Sequence, residues 1–332
     1  MLMEKQIIRN TKSHFSQLGL MFFLGTLIIV SVQTGVSVMV SMLFPDILGN
    51  ADLSLIVGTG SMYLIGMPLL VLLVRMVPAV PIPRKSMKVP QLLSAFCISY
   101  ALMYFSNLIG QFMTTFIGFL KGDSVANPIQ DIVTELHLGT AILFTVICAP
   151  IIEEFIFRKL IIDRTSVKYG ELSGILLSAF FFALFHGNLN QFVYAFTLGL
   201  LFGFVYAKTG MLRYSVLLHM GINFMGSVPG LLMLRSDVFQ AIEQSASDSA
   251  ALIDIIVTHP FQMILIGIYM ALVMGLVIGG IVLFILSFKK FRCRPGIIAL
   301  PKDKLLLAML FNVGTILYIG FWAIQIILQL FA

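Results

Sequence analysis

Long apolar runs, separated by short polar or turn-forming breaks, alternate along the whole chain. Nine stand out, at 18–43, 53–77, 91–119, 138–160, 172–187, 190–207, 212–234, 259–288 and 304–331. Most reach about 20 residues, enough for a helix to cross a hydrocarbon core roughly 30 Å thick. In lipid a spanning segment must satisfy its own backbone hydrogen bonds, which a helix does. The breaks carry turn chemistry, as in Pro45 with Gly49 and Asn50, Pro81 with Pro83, and Pro295 with Gly296. The pattern predicts an all-α polytopic transmembrane bundle of eight to nine spans, forming one integral membrane domain over 1–332. The fifth run is short, and Gly187, Asn188 and Asn190 after it predict a turn at or within the membrane. The one long loop, 235–258, reads as a solvated connector or a short surface helix. No internal repeat is visible.

Composition agrees with this reading: 59% of residues are apolar and 11% charged, and the mean hydropathy is +1.02. The formal net charge of +6 invites a nucleic-acid partner, but the basic residues are spread over short inter-helix loops, where they set membrane orientation. With alternate loops assigned to opposite sides, 19 of the 21 Lys and Arg fall on the side of the N-terminus, leaving Lys121 and Arg235 on the other. Asp46, Asp52, Asp123, Asp131, Glu135, Asp237, Glu243, Asp248 and Asp254 all fall on that second side. The N-terminus is therefore expected in the cytoplasm, the C-terminus outside, and the protein in the cell membrane as a multi-pass protein. The first apolar run is too long for a cleaved signal peptide and reads as a retained span. Cys97, Cys148 and Cys293 lack paired spacing, which implies neither a disulfide nor a thiolate metal site.

Ionisable groups inside spans are costly unless they are paired or face a cavity, so each one here is a candidate for function. Glu153, Glu154 and Arg158 lie in the fourth run, His186 ends the fifth, and His219 and Asn223 lie in the seventh. Glu154 and Arg158 are four apart and can pair, whereas Glu153 points about 100° away on a helix and is the free carboxylate. His219 and Asn223 share one helix face. Each has a bland reading: a packed histidine, an interfacial salt bridge, an interhelical clasp. Their concentration between 138 and 226, with little else ionisable in any span, favours one site there. His14, His137 and His259 lie at run ends or in tails and receive no role. Measured from the cytoplasmic boundary, Glu153 and His219 sit at similar depth, but His186 lies about 24 Å beyond Gly170 at 1.5 Å per residue. The helices around Gly170 are therefore expected to project into the cytoplasm or to tilt.

A carboxylate and two imidazoles support hydrolysis in two ways. Glu153, His186 and His219 can hold Zn²⁺ and leave its fourth position to water. Alternatively, without metal, Glu153 acts as general base on a water positioned by His186, while His219 and Asn223 stabilise the oxyanion. Both schemes use the same residues, and the HExxH spacing of soluble zinc proteases is absent.

Glu153 to Arg158 fits EExxxR, Phe182 to His186 fits FxxxH, and His219 to Asn223 fits HxxxN. In this order and approximate spacing the set resembles the CAAX-processing and bacteriocin-processing (CPBP, or Abi) intramembrane endopeptidases over roughly 140–226. The resemblance implies a cytoplasm-facing intramembrane site with Glu153 as base and His186 positioning water or binding metal. It further implies His219 with Asn223 as the oxyanion or metal pair, and Glu154 with Arg158 as supporting residues. Bacterial members, which this length and loop pattern resemble, are linked to bacteriocin immunity, pheromone maturation or control of membrane sensor kinases. The expected partners are membrane lipid, a hydrophobic, amphipathic or lipidated peptide substrate, and a membrane sensor protein, with no nucleic acid. A non-catalytic regulatory or immunity protein of the same family is the alternative. A proton-coupled transporter is a further one, against which stands the lack of duplicated halves.

Overall fold

The computed structural model describes residues 2–127, 135–245 and 248–331. Among them are twelve α-helices, some with short π-helical turns, and no strand. Asp131, expected on the outer side, lies outside the described residues.

The helices are α1 (Leu2–Leu43), α2 (Ala51–Arg75), α3 (Val89–Lys121), α4 (Leu138–Tyr169), α5 (Glu171–Phe185), α6 (Leu189–Thr209), α7 (Leu212–Leu234), α8 (Asp237–Gln244), α9 (Ser249–Thr258), α10 (Pro260–Ser287), α11 (Lys302–Leu310) and α12 (Val313–Phe331). Eight of them, all but α5, α8, α9 and α11, are long and apolar enough to cross a membrane. The short fifth run is α5, whose 15 residues rise only about 22 Å.

Burial is inverted relative to a water-soluble protein. Leu64, Phe119 and Ile253 are exposed, whereas Glu154, Arg158, Ser178 and Thr165 are fully buried. Large apolar side chains facing outward fit a lipid surround, and the polar groups at the centre bond to one another or to backbone carbonyls. α5 lies at the middle, packed against α4, α6 and α12, with Phe157, Phe181, Phe182 and Tyr318 forming the main core.

One expectation needed revision. The run 304–331 is two helices, α11 and α12, because Asn312 interrupts it: its Nδ2 donates to the Ala308 and Met309 carbonyls, and its Oδ1 accepts from Thr315 N. One side chain thus ends one helix and caps the next. The stretch 235–258 holds two short helices, α8 and α9, in line with the short surface helix expected there, and α9 exposes Ile253, Ile256 and Val257.

α4 has 32 residues, a rise of about 48 Å. Val80 N bonds to the Asp163 carbonyl and Arg164 Nε to the Val74 carbonyl, so α2 ends at that level while α4 continues to Tyr169. The overhang lets α5 start beyond the end of α2 and return inward, which brings His186 toward Glu153 and His219. At the turn, Gly170 adopts φ +96°, a conformation glycine tolerates best. Across that turn Glu171 bonds to Lys208 at the end of α6 and to Arg294 after α10, so these ends share one side. Glu4 pairs with Lys304 on α11, whereas Lys121 Nζ reaches the Leu330 carbonyl, so α1 and α12 run in the same direction. This agrees with an odd number of crossings between the termini.

Candidate active site

The centre of the site is a buried array of four side chains from α4, α5 and α7. Arg158 Nε donates to Glu154 Oε2 at 3.1 Å, and its Nη2 lies 3.0 Å from Glu154 Oε1, with both side chains 0% exposed. Arg158 Nη1 donates to Ser178 Oγ, which itself donates to the Phe157 carbonyl. The guanidinium sits 4.3 Å from the centre of the Phe182 ring, a cation–π contact that also shields the ion pair.

Glu154 Oε1 meets His219 Nδ1 at 3.1 Å, and on the far side of that ring His219 Nε2 faces Glu153 Oε2 at 3.8 Å. Glu154, beside a guanidinium, has no proton to give, so the hydrogen of this bond sits on His219 Nδ1. The ring's orientation is thereby fixed. The 3.8 Å gap at Nε2 is too long for a hydrogen bond. Glu153 is therefore the less committed of the two carboxylates, as its helix position predicts.

His186 caps the C-terminal end of α5, its Nδ1 2.8 Å from the Phe182 carbonyl. That bond leaves Nε2 uncommitted. Phe182 holds both histidines edge-on, with ring centres 4.7 Å from His186 and 5.8 Å from His219. Phe202 on α6 covers the other flank of His219 at 5.4 Å.

Asn223 lies one helical turn beyond His219, and its Nδ2 donates to the Thr145 carbonyl at 2.8 Å. The sequence explains why that carbonyl is available. Residues Ile142–Cys148 form π-helical turns in which Ala149 N reaches back five residues to the Phe144 carbonyl. In that register Thr145 O awaits residue 150, which is Pro150 and has no N–H. Asn223 supplies the missing donor and keeps one amide hydrogen in reserve.

All six residues singled out from sequence therefore lie in one neighbourhood. Glu154 does more than pair with Arg158, since it also orients His219. Sequence reasoning missed Ser178, Phe202 and Thr145, together with Tyr63 on α2 and Tyr194 on α6, both within electrostatic reach of Glu153. Pro150 inside an otherwise helical run was the available signal for Thr145; the tyrosines carried none.

For zinc, the donor set is incomplete in this arrangement. Glu153 and His219 face each other, but among the described residues no three His, Cys, Asp or Glu are grouped closely enough to share one ion. His219 bonds to Glu154 and His186 to its own helix through Nδ1, which leaves on each ring Nε2, the nitrogen a metal would take.

Residues 136–225 match the family model of the type II CAAX prenyl endopeptidase Rce1-like group. A curated relative from Bacillus subtilis (strain 168), described as "Putative membrane peptidase YdiL", is 30% identical over 82 residues, 25% of this chain and 34% of the relative. The chain thus aligns with about a third of that relative's length. No solved structure matches significantly. Motifs, helix placement and both matches coincide on one stretch: residues 136–225 are similar to the CAAX-protease (CPBP) family, within a chain that carries eight helices long and apolar enough to cross a membrane.

Proposed function

We propose that this protein is an intramembrane endopeptidase that hydrolyses peptide bonds of a hydrophobic, amphipathic or lipidated membrane-associated substrate. The observation that carries the proposal is the opposed pair Glu153 and His219, the latter fixed in orientation by the Arg158–Glu154 ion pair.

In this reading a water enters beside Glu153, which takes its proton while the oxygen attacks the scissile carbonyl. His186 Nε2 holds that water. His219 and Asn223, on one face of α7, donate to the developing oxyanion. Donation from His219 Nε2 requires the doubly protonated ring, and the Glu154 carboxylate at Nδ1 is the counter-charge for that state once Glu153 has taken the water's proton. Glu153 then delivers its proton to the leaving amine. A general base contributes about 10²–10⁴-fold, and each oxyanion donor about 10²–10³-fold, so no one residue carries the whole effect. Every step uses groups of this chain. A site sunk among helices favours a substrate that arrives from the bilayer, which soluble peptides do not.

The test is mass spectrometry of peptides released when purified wild type or Glu153→Gln protein, in proteoliposomes, meets peptides secreted by the host. Products made by wild type and absent with the variant support the proposal. Identical profiles, with a cellular phenotype that survives the substitution, assign the protein instead to a non-catalytic immunity or sensor-regulating role.

A further inference from the structure

A second polar feature lies away from the catalytic helices, at the cytoplasmic ends of α1 and α12. These helices cross in backbone contact: a Cβ placed on Gly314 would overlap the backbone of Ser16 and Leu20, and one on Gly19 would overlap Thr315. Beside the crossing, where α12 begins, lies a cavity of about 330 Å³, lined among others by Arg9, Lys12, Ser13, Gln17, Leu20 and Val313. The α1 positions are spaced as one helical face.

Arg9 and Lys12 are exposed, and neither is ion-paired with a described residue. The nearest N-terminal carboxylate, Glu4, is taken by Lys304. The cavity thus has two free cations, a hydroxyl and an amide at one end, with the positive N-terminus of α12 beside them. The other end is apolar and continues into lipid-facing surface. Leu24 and Leu27 follow Leu20 on α1, Ile316 and Leu317 follow Val313 on α12, and all four are exposed. A polar, cationic head followed by an open apolar furrow has the shape and charge order of a phospholipid. A free phosphate would use only the first half.

We infer that this cavity binds one anionic phospholipid, with its phosphate on Arg9 and Lys12 and an acyl chain along Leu20–Leu24 and Val313–Leu317. The site has a structural route to the catalytic neighbourhood. α12 places Tyr318 Oη on the Phe181 carbonyl and Trp322 against Phe185 and Gly187, next to His186. Nothing in the binding argument depends on the peptidase reading.

The test uses full-length protein purified in detergent, with bound lipid read by native mass spectrometry after titration with phosphatidylglycerol or phosphatidylcholine. Wild type is expected to retain one phosphatidylglycerol in preference to phosphatidylcholine. The double variant Arg9→Gln/Lys12→Gln should weaken that binding roughly 25-fold, about fivefold per cation removed, and Leu20→Trp, which fills the apolar end, should weaken it with both cations intact. Lys289→Gln/Lys290→Gln, on another cytoplasmic segment, serves as control and should retain wild-type binding. Equal losses in control and test variants would mean diffuse surface attraction and overturn the inference. Displacement of the lipid by soluble glycerol phosphate at similar concentration would overturn it too, because the ligand would then be a free phosphate group.

Discussion

Replacing Arg158 with Met tests whether the buried ion pair holds the site together. The substitution keeps most of the side-chain length but leaves the Glu154 carboxylate, 0% exposed, with only His219 and the Ser215 hydroxyl beside it. At an effective dielectric of about 20, two unit charges 3.0 Å apart attract by about 5 kcal/mol. Much of that attraction offsets desolvation, and mutational experience with broken buried pairs gives a net loss of about 3–5 kcal/mol. Glu154→Gln should cost a similar amount by leaving the guanidinium unpaired, although Gln can still accept from His219 Nδ1. The double variant Glu154→Gln/Arg158→Met leaves neither charge stranded and should be more stable than either single variant, a non-additivity of at least 1–3 kcal/mol. Chemical unfolding in detergent can be followed through Trp322, the chain's one tryptophan, which packs on Phe185 beside His186. Lys304→Met, which breaks the pair with Glu4 where both side chains are exposed, should leave the unfolding curve close to that of wild type. Simple additivity of the two single variants, or a wild-type unfolding curve for Arg158→Met, would refute the reasoning.

Further outcomes follow from the same geometry. Asn223→Ala should lower kcat by about 10²–10³-fold with little change in KM, because an oxyanion contact forms only in the transition state; a change confined to KM would move Asn223 to substrate binding. Phe182→Ala should cost about 3–5 kcal/mol in unfolding measurements and reduce turnover further, since the ring supports Arg158, His186 and His219 together; wild-type turnover in the folded variant would remove its positioning role. Elemental analysis coupled to an activity assay should find full activity in a zinc-free preparation; loss on chelation, restored by Zn²⁺ alone, would require the three-ligand arrangement instead. Gly314→Ala should destabilise the protein by about 1–3 kcal/mol through overpacking against α1, read as a lowered unfolding midpoint; an unchanged midpoint would mean the crossing relaxes freely.

Much of the fold was legible because lipid leaves so few choices: an apolar run of about 20 residues becomes a helix, and its flanking charges orient it. The site residues were legible for the complementary reason, since Glu153, His186, His219 and Asn223 are polar where polarity is costly. Departures from the regular helical repeat were not legible. The helix break at Asn312 depends on one side chain satisfying both flanking helices, and the Thr145–Asn223 bond depends on a π-helical register meeting Pro150. Spacing alone paired Glu154 with Arg158 but gave no sign that Glu154 also grips His219, because that contact crosses from α4 to α7. The long reach to His186 was anticipated as a geometric difficulty, and the overhang of α4 resolves it.

Glu153 opposite His219 forms the proposed hydrolytic centre. It is tested most directly by single-turnover cleavage of one membrane-anchored host peptide in proteoliposomes containing wild type or Glu153→Gln protein, with Trp322 fluorescence checking that both are folded. Wild type should cleave the peptide, and the variant should be slower by about 10²–10⁴-fold at unchanged unfolding midpoint. Cleavage at the wild-type rate by the folded Glu153→Gln protein would contradict it.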